Sequence, residues 1–149
     1  MSLVVYKKKR NFQKTFEPKG KIVKIKSKNI FVVHEHHASH LHWDLRLEMD
    51  GVLRSWAVPK PIPLTKETKR LAIQVEDHPI EYADFHGIIP EGNYGAGKVI
   101  IWDKGTYELK EKTSNKIDVI FHGKKLKGNY VLIKTNYGKN KNSWLFFKI

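Results

Sequence analysis

The chain has 149 residues, 28 lysines and arginines against 15 acids, a formal charge of +13, and no cysteine. This length supports one hydrophobic core, and the missing cysteines exclude disulfides, thiolate catalysis and Cys-ligated zinc. No apolar run approaches the roughly 20 residues that span a bilayer, and the short apolar patch before Lys7 is no signal peptide, so a cytoplasmic protein is expected.

The charge excess attracts polyanions. Nucleic acid is the leading partner, because neutralising its phosphates releases counterions. Residues 1–20 lack periodicity, carry Lys7-Lys8-Lys9-Arg10 and end in Pro18 and Gly20. They read as a basic N-terminal arm, and residues 21–149 as the folded domain. Ile22, Val23 and Ile25 begin a strand-like stretch, and Phe31-Val32-Val33 a second. From Leu41 to Met49 the alternation is clean: Leu41, Trp43, Leu45, Leu47 and Met49 share one face, His42, Asp44, Arg46 and Glu48 the other. Asp50-Gly51 signals a hairpin, with Val52–Val58 as the returning strand. Pro59, Pro61 and Pro63 mark a connection, and Leu64–Lys69 has room for one helical turn. Arg70–Glu76 alternates again, with Leu71, Ile73 and Val75 expected inward. After an irregular segment from Asp77 to Tyr94 come strands at Lys98–Trp102, Thr106–Lys110, Ile117–Phe121, Tyr130–Ile133 and Ser143–Ile149. Many short strands without a helix of normal length predict an all-β fold, a compact antiparallel barrel, with a two-sheet sandwich as the alternative.

Five of the eight histidines, His34, His36, His37, His40 and His42, fall within nine residues. His42, Asp44 and Arg46 follow at two-residue spacing on one strand face, about 6–7 Å apart at neighbouring positions. Imidazole plus carboxylate suits zinc, manganese or another first-row divalent ion, and the guanidinium fork suits a phosphate. A third ligand has to come from a neighbouring segment, and His36 is the nearest. A second polar group, Asp77-His78-Pro79-Ile80-Glu81-Tyr82, follows a strand; His78 can move a proton and Tyr82 can contact a phosphate oxygen. Pro90–Lys98 is glycine-rich but lacks the GxxxxGK[ST] pattern and leads into a strand, so it reads as a tight bend. Closely spaced carboxylates for a two-metal nuclease are absent, as is a Ser-His-Asp order with a nucleophile elbow.

The segments FVVHEHHASHLHWDLRLEMDGVLRSWAVPK, RLAIQVEDHPIEYADFHG and IPEGNYGAGKVIIWDKGTY resemble the 3′-phosphoesterase domain of bacterial DNA ligase D, in its free-standing form. The resemblance implies a β barrel with an external active-site groove. It also implies a manganese-dependent enzyme, with cobalt or zinc as alternative ions, that heals 3′ ends of DNA or RNA–DNA before ligation. Such enzymes remove a 3′-phosphate, and many also clip a terminal ribonucleoside. By resemblance, His36, His42 and Asp44 are metal ligands, Arg46 binds phosphate, and His78 and Tyr82 lie against the scissile phosphate. Lys60 and Arg70 fall on basic positions near the groove, and Glu17 on an acidic arm position that handles the terminal ribonucleoside. The family commonly has Gln at His34 and Arg at His40, so extra imidazoles compete for the metal or hold a second ion. Asn11 replaces an arm acid, which bears on ribonucleoside removal. A separately encoded ligase and polymerase are the implied partners, and a monomer is the default. The rival reading is a non-catalytic nucleic-acid-binding barrel.

Overall fold

Asp50 and Gly51 take positive φ angles of 53° and 84°, the backbone that a two-residue hairpin needs to match strand twist. They join β2 (Leu41–Met49) to β3 (Val52–Val58). The computed structural model describes residues 3–10, 17, 29–136 and 140–149; Asn11, Ile22, Val23 and Ile25 lie outside them.

The remaining strands are β1 (Ile30–His37), β4 (Lys69–His78), β5 (Gly87–Ile89), β6 (Gly97–Lys112), β7 (Lys116–His122), β8 (Lys127–Lys134) and β9 (Ser143–Lys148). Eight of them pair antiparallel in the order β1-β2-β3-β4-β9-β8-β7-β6, and β6 pairs back onto β1. The barrel is closed. β5 adds to β6 from outside. Eight strands leave an interior that side chains fill. Here aromatics fill it: Trp56 and Trp144 meet edge to face at 5.8 Å, Phe31 meets Phe121 at 4.8 Å, and Tyr130 stacks on Phe146 at 5.2 Å. Among the described residues no helix is long and apolar enough to cross a membrane.

Several expected details are corrected. Lys98–Trp102 and Thr106–Lys110 are halves of the single 16-residue strand β6. The segment Leu64–Lys69 makes bends and turns but no helix. Leu41 stands at the barrel rim, 43% exposed, although its partners on the stripe are buried. The face of β4 is also inverted. Ala72 enters the core, while Ile73 and Val75 line cavities on the outside with His42. Periodicity fixes which residues share a face but not which face is inside, and the outer face of β4 is apolar because it floors a groove.

That groove arises because the outside of β1–β3 is covered. Val32 and Leu53 point outward yet are fully buried, packed with Tyr6, Tyr82 and Ala83. Tyr6 comes from α1 (Val4–Lys8) in the N-terminal segment, and Tyr82 from a 3₁₀ turn at Ile80–Asp84. The polar stripe of β2 therefore faces a recess: Asp44, Arg46 and Glu48 are each no more than 6% exposed. Buried charges of this kind persist only when paired.

A candidate metal and phosphate site

His36 stands directly opposite His42 in the β1–β2 ladder, and Asp44 shares the outer face of β2 with His42. One ligand atom from each of the three lies within 4.8 Å of the others. His36 Nδ1 is 3.6 Å and His42 Nε2 3.3 Å from Asp44 Oδ2. Bonds of about 2.0–2.2 Å to one ion place neighbouring donor atoms roughly 3–3.5 Å apart, so this donor set fits a divalent ion with little movement.

Backbone carbonyls set the tautomers. His36 Nε2 lies 2.7 Å from the Gly95 carbonyl and His42 Nδ1 lies 3.1 Å from the His40 carbonyl. A carbonyl only accepts, so these nitrogens carry the protons. The lone pairs of Nδ1 on His36 and Nε2 on His42 are left facing Asp44. Gly95 reaches His36 from the β5–β6 connection with a φ of +73°, which is the tight bend expected of Pro90–Lys98. Burial raises the Asp44 carboxyl, but the Arg46 charge, joined by hydrogen bonds from the imidazoles when these are protonated, outweighs it and holds it well below the usual carboxylate range. The hydrogen bond that a protonated His42 donates to Asp44 raises His42 against the effect of its burial.

Arg46 is held from several sides. Its Nε donates to His34 Nδ1 at 3.1 Å, its Nη2 lies 3.4 Å from Asp44 Oδ2, and its guanidinium sits 5.0 Å above the Tyr82 ring. His34 accepts from Arg46 because its own Nε2 donates to the Phe85 carbonyl at 2.9 Å. His34 is thus a neutral strut for the guanidinium, and both its nitrogens are used; burial and then the Arg46 charge push it down to about 3. The other extra imidazoles also stay apart from the triad: His37 pairs with Glu35 at 2.7 Å, and exposed His40 contributes its carbonyl.

His78 reaches the site through a bulge. Leu53 pairs with His78 and Ser55 with Val75, so β4 carries one extra residue here. Strict alternation would have placed His78 inside with Ala72; the bulge returns it to the groove. Its Nδ1 donates to the Glu76 carbonyl at 3.0 Å, and its Nε2 accepts from Arg10 Nη2 at 3.1 Å. Burial, then the charges of Arg46 and Arg10, hold His78 well below the ordinary imidazole value.

Arg10 was hidden in the sequence by its place at the end of a lysine run. It donates from Nε to Glu17 Oε2 at 2.8 Å and from Nη1 to Glu76 Oε2 at 3.1 Å, and its guanidinium lies 3.9 Å over the Tyr6 ring. Glu17 Oε2 also accepts from the Tyr82 hydroxyl at 2.8 Å, while Glu17 Oε1 is buried with no partner among the described residues. Tyr82 keeps its proton, because burial raises it well above 10. Arg10, Glu76 and Tyr94 are the site residues that sequence reasoning missed. The one available signal is that a lone arginine beside lysines offers the planar fork that buried pairing uses.

His36, His42, Asp44, Arg46, His78, Tyr82 and Arg10 line one cavity of about 240 Å³. Lys60 and Arg70 do not; they line a separate recess of about 320 Å³ at the start of β4.

The two depressed imidazoles predict acid sensitivity of the metal-free fold. Below about pH 6.5 unfolded histidines bind protons, while His34 stays neutral down to about 3 and His78 is also depressed. The unfolded state then binds more protons, so stability falls with pH, by up to ~1.4 kcal/mol per unit for each ring. His42 shifts upward and adds stability only as pH falls to its unfolded value, above this window. Urea unfolding in chelator should show a clearly lower midpoint at pH 5 than at pH 6.5, and His34→Gln should reduce the difference. Equal midpoints in the native sequence would show that these rings titrate freely.

Residues 34–134 match the profile of the DNA ligase D 3′-phosphoesterase domain, a span holding the triad, Arg46, His78 and Tyr82. The chain is 48% identical to the multifunctional non-homologous end joining protein LigD of Mycolicibacterium smegmatis, over 96% of this chain and 20% of that protein. It is 44% identical to the LigD of Pseudomonas aeruginosa, over 98% of this chain and 18% of that one. The corresponding protein of Mycobacterium tuberculosis H37Rv is 48% identical over 90% of this chain and 18% of its own length. This chain therefore spans about a fifth of the curated relatives it matches. The profile covers most of the chain, and the relatives are 44–48% identical over nearly all of it: the chain belongs to the DNA ligase D 3′-phosphoesterase domain family.

Proposed function

We propose that the chain is a manganese-dependent phosphoesterase that removes a terminal phosphate from the 3′ end of nucleic acid. The observation that carries this reading is the convergence of two tautomer-fixed imidazole lone pairs and one carboxylate beside a buried guanidinium. Imidazole and carboxylate donors together suit a first-row transition ion such as manganese, cobalt or zinc. Bound there, such an ion supplies Lewis-acid neutralisation of phosphoryl charge.

The chain's own groups do the rest. Arg46, locked by His34 and Tyr82, presents a preorganised fork to the phosphoryl oxygens as charge builds on them. Arg10 faces the same cavity from the opposite wall. The Tyr82 hydroxyl orients the phosphate. Hydrolysis joins a water oxygen to phosphorus, breaks the bond to the 3′ oxygen, and leaves that oxygen needing a proton. His78 is the group placed to handle this proton; it rests neutral, and an incoming phosphate dianion raises its proton affinity. Glu17 accepts from both Tyr82 and Arg10 and thereby positions two groups that line the cavity, so removal of a terminal ribonucleoside, which needs the ribose hydroxyl to be read, belongs to the same proposal.

The relatives are named for non-homologous end joining, and on that basis we place the activity in preparing broken DNA ends, with a ligase and a polymerase as partners. A passive nucleic-acid barrel would present stacking aromatics outward. Trp43, Trp56 and Trp144 are all in the core.

Inorganic phosphate release from a 3′-phosphorylated primer tests the proposal. Release should require manganese, cobalt or zinc and stop with chelator. Release that persists at full rate in chelator would remove the metal from the reading, and no release with any ion would remove the activity.

A further inference from the structure

The phosphate cavity continues past β3. Asp44 pairs with Ala57 and Ala57 with Ile73, so these three stand in one row across the outer face of β2, β3 and β4. At ~4.8 Å per strand the row places Ile73 about 10 Å from Asp44. Over it opens a recess of about 690 Å³ that shares His42 and Ala57 with the phosphate cavity and is otherwise lined by Leu41, Pro59, Ile73 and the His40 loop. Pro59 also borders the next recess, where Lys60, Lys69 and Arg70 gather. Three recesses thus form one track: metal donors first, an apolar floor second, three cations third.

The apolar floor has no structural duty that explains it. Leu41 is 43% exposed beside His40 and His42, and Pro59 is exposed as well. On the opposite side of the phosphate cavity, beyond Val99, a recess lined by Ile88, Ile100 and Ile101 is apolar too, but it carries only Lys98 with His86, a weaker positive charge than Lys60, Lys69 and Arg70. A chain of phosphates leaving the metal donors is therefore drawn over β3 and β4.

We propose that Leu41, Pro59 and Ile73 form a shelf for the sugar and base of the terminal nucleotide, between the metal donors and the basic recess in which Lys60 and Arg70, already expected near the groove, gather with Lys69. This rests on the phosphoesterase reading above. The occupant is the 3′-terminal stretch of a nucleic-acid strand, because the floor meets the apolar sugar and base and the cations meet the phosphates. Such a shelf is tolerant of sequence.

The test measures kcat/KM for 3′-phosphorylated substrates of one, two, four and twelve nucleotides, with manganese. The native chain should gain steeply between one and four nucleotides, as shelf and cations are filled. Leu41→Asp, at an exposed rim position, should cut the ratio of tetranucleotide to mononucleotide kcat/KM at least tenfold, through KM. Ile73→Thr, which keeps a strand-favouring side chain, should act the same way more weakly, and Leu41→Met should restore the ratio. Ile88→Asp, on the other side, should leave the ratio as in the native chain. A ratio unaffected by Leu41→Asp and Ile73→Thr, or lost only in Ile88→Asp, overturns the shelf. If the native chain releases no phosphate from any substrate, the functional reading fails by itself. The shelf is then decided by fluorescence anisotropy of a labelled 12-mer with the same variants: equal affinities overturn it, and weaker binding by Leu41→Asp alone supports it.

Discussion

Asp44→Asn is expected to lower phosphate release by at least ~10³-fold, the several kcal/mol that a bound metal contributes to phosphoryl transition states at ~1.4 kcal/mol per decade. The substitution keeps the shape of the side chain but removes the anion on which His36, His42 and Arg46 converge. Manganese affinity, read by titration calorimetry or by electron paramagnetic resonance, should fall together with the rate. His42→Gln should reproduce both losses, because it takes the second donor while leaving Asp44 beside Arg46. A structural role alone would move stability and spare the affinity. Native manganese affinity with a native rate in Asp44→Asn would dismantle the site.

The parts of this site that were legible in the sequence are those set by local geometry. His42, Asp44 and Arg46 share a strand face by period alone, and the Asp50-Gly51 turn fixes how that strand returns. His36 was within reach because a short turn at Ala38–His40 brings β1 back beside β2, which puts it opposite His42. What stayed hidden depends on single-residue offsets and distant contacts. The extra residue in β4 decides that His78 faces the groove, and no composition signal marks it. The alternation of Leu71, Ile73 and Val75 was visible, but a stripe that floors a groove reads like a stripe that fills a core. The outward Val32 and Leu53 carried a usable hint, since apolar residues on both faces of a strand call for a cover.

The cover also explains the electrostatics. Without α1, the recess around His78 would open to solvent, and a neutral imidazole between two guanidiniums would lose the burial that keeps it unprotonated. With α1 in place, Lys9 reaches Glu76 at 3.4 Å and lies 4.7 Å over the Tyr94 ring, while Arg10 spans Glu17, Glu76 and His78. The N-terminal segment is thereby tied to β4 and to the β5–β6 connection, the same connection that orients His36. Docking of the segment and preorganisation of the cavity are one event in this fold.

Arg10→Met should separate the two parts of that event. The side chain of Arg10 is 4% exposed, and those of Glu17 and Glu76 are 0% and 2% exposed. Removing the cation leaves buried Glu17 without a counter-charge and Glu76 with Lys9 alone, and breaking a buried pair typically costs about 3–5 kcal/mol. Because the closed barrel does not depend on Arg10 for its core, the loss should appear as release of α1, read as faster amide exchange at Tyr6–Lys9. Phosphate release should fall about 10²–10³-fold, the usual effect of losing one preorganised donor at a developing charge. Arg10→Met combined with Glu17→Gln removes the strongest uncompensated charge and should restore much of the exchange protection. The rate should stay low in the double variant, since the Arg10 guanidinium no longer faces the phosphate beside Arg46. If the rate returned along with the protection, Arg10 would be only the fastening of the segment, and Arg46 alone would hold the phosphate.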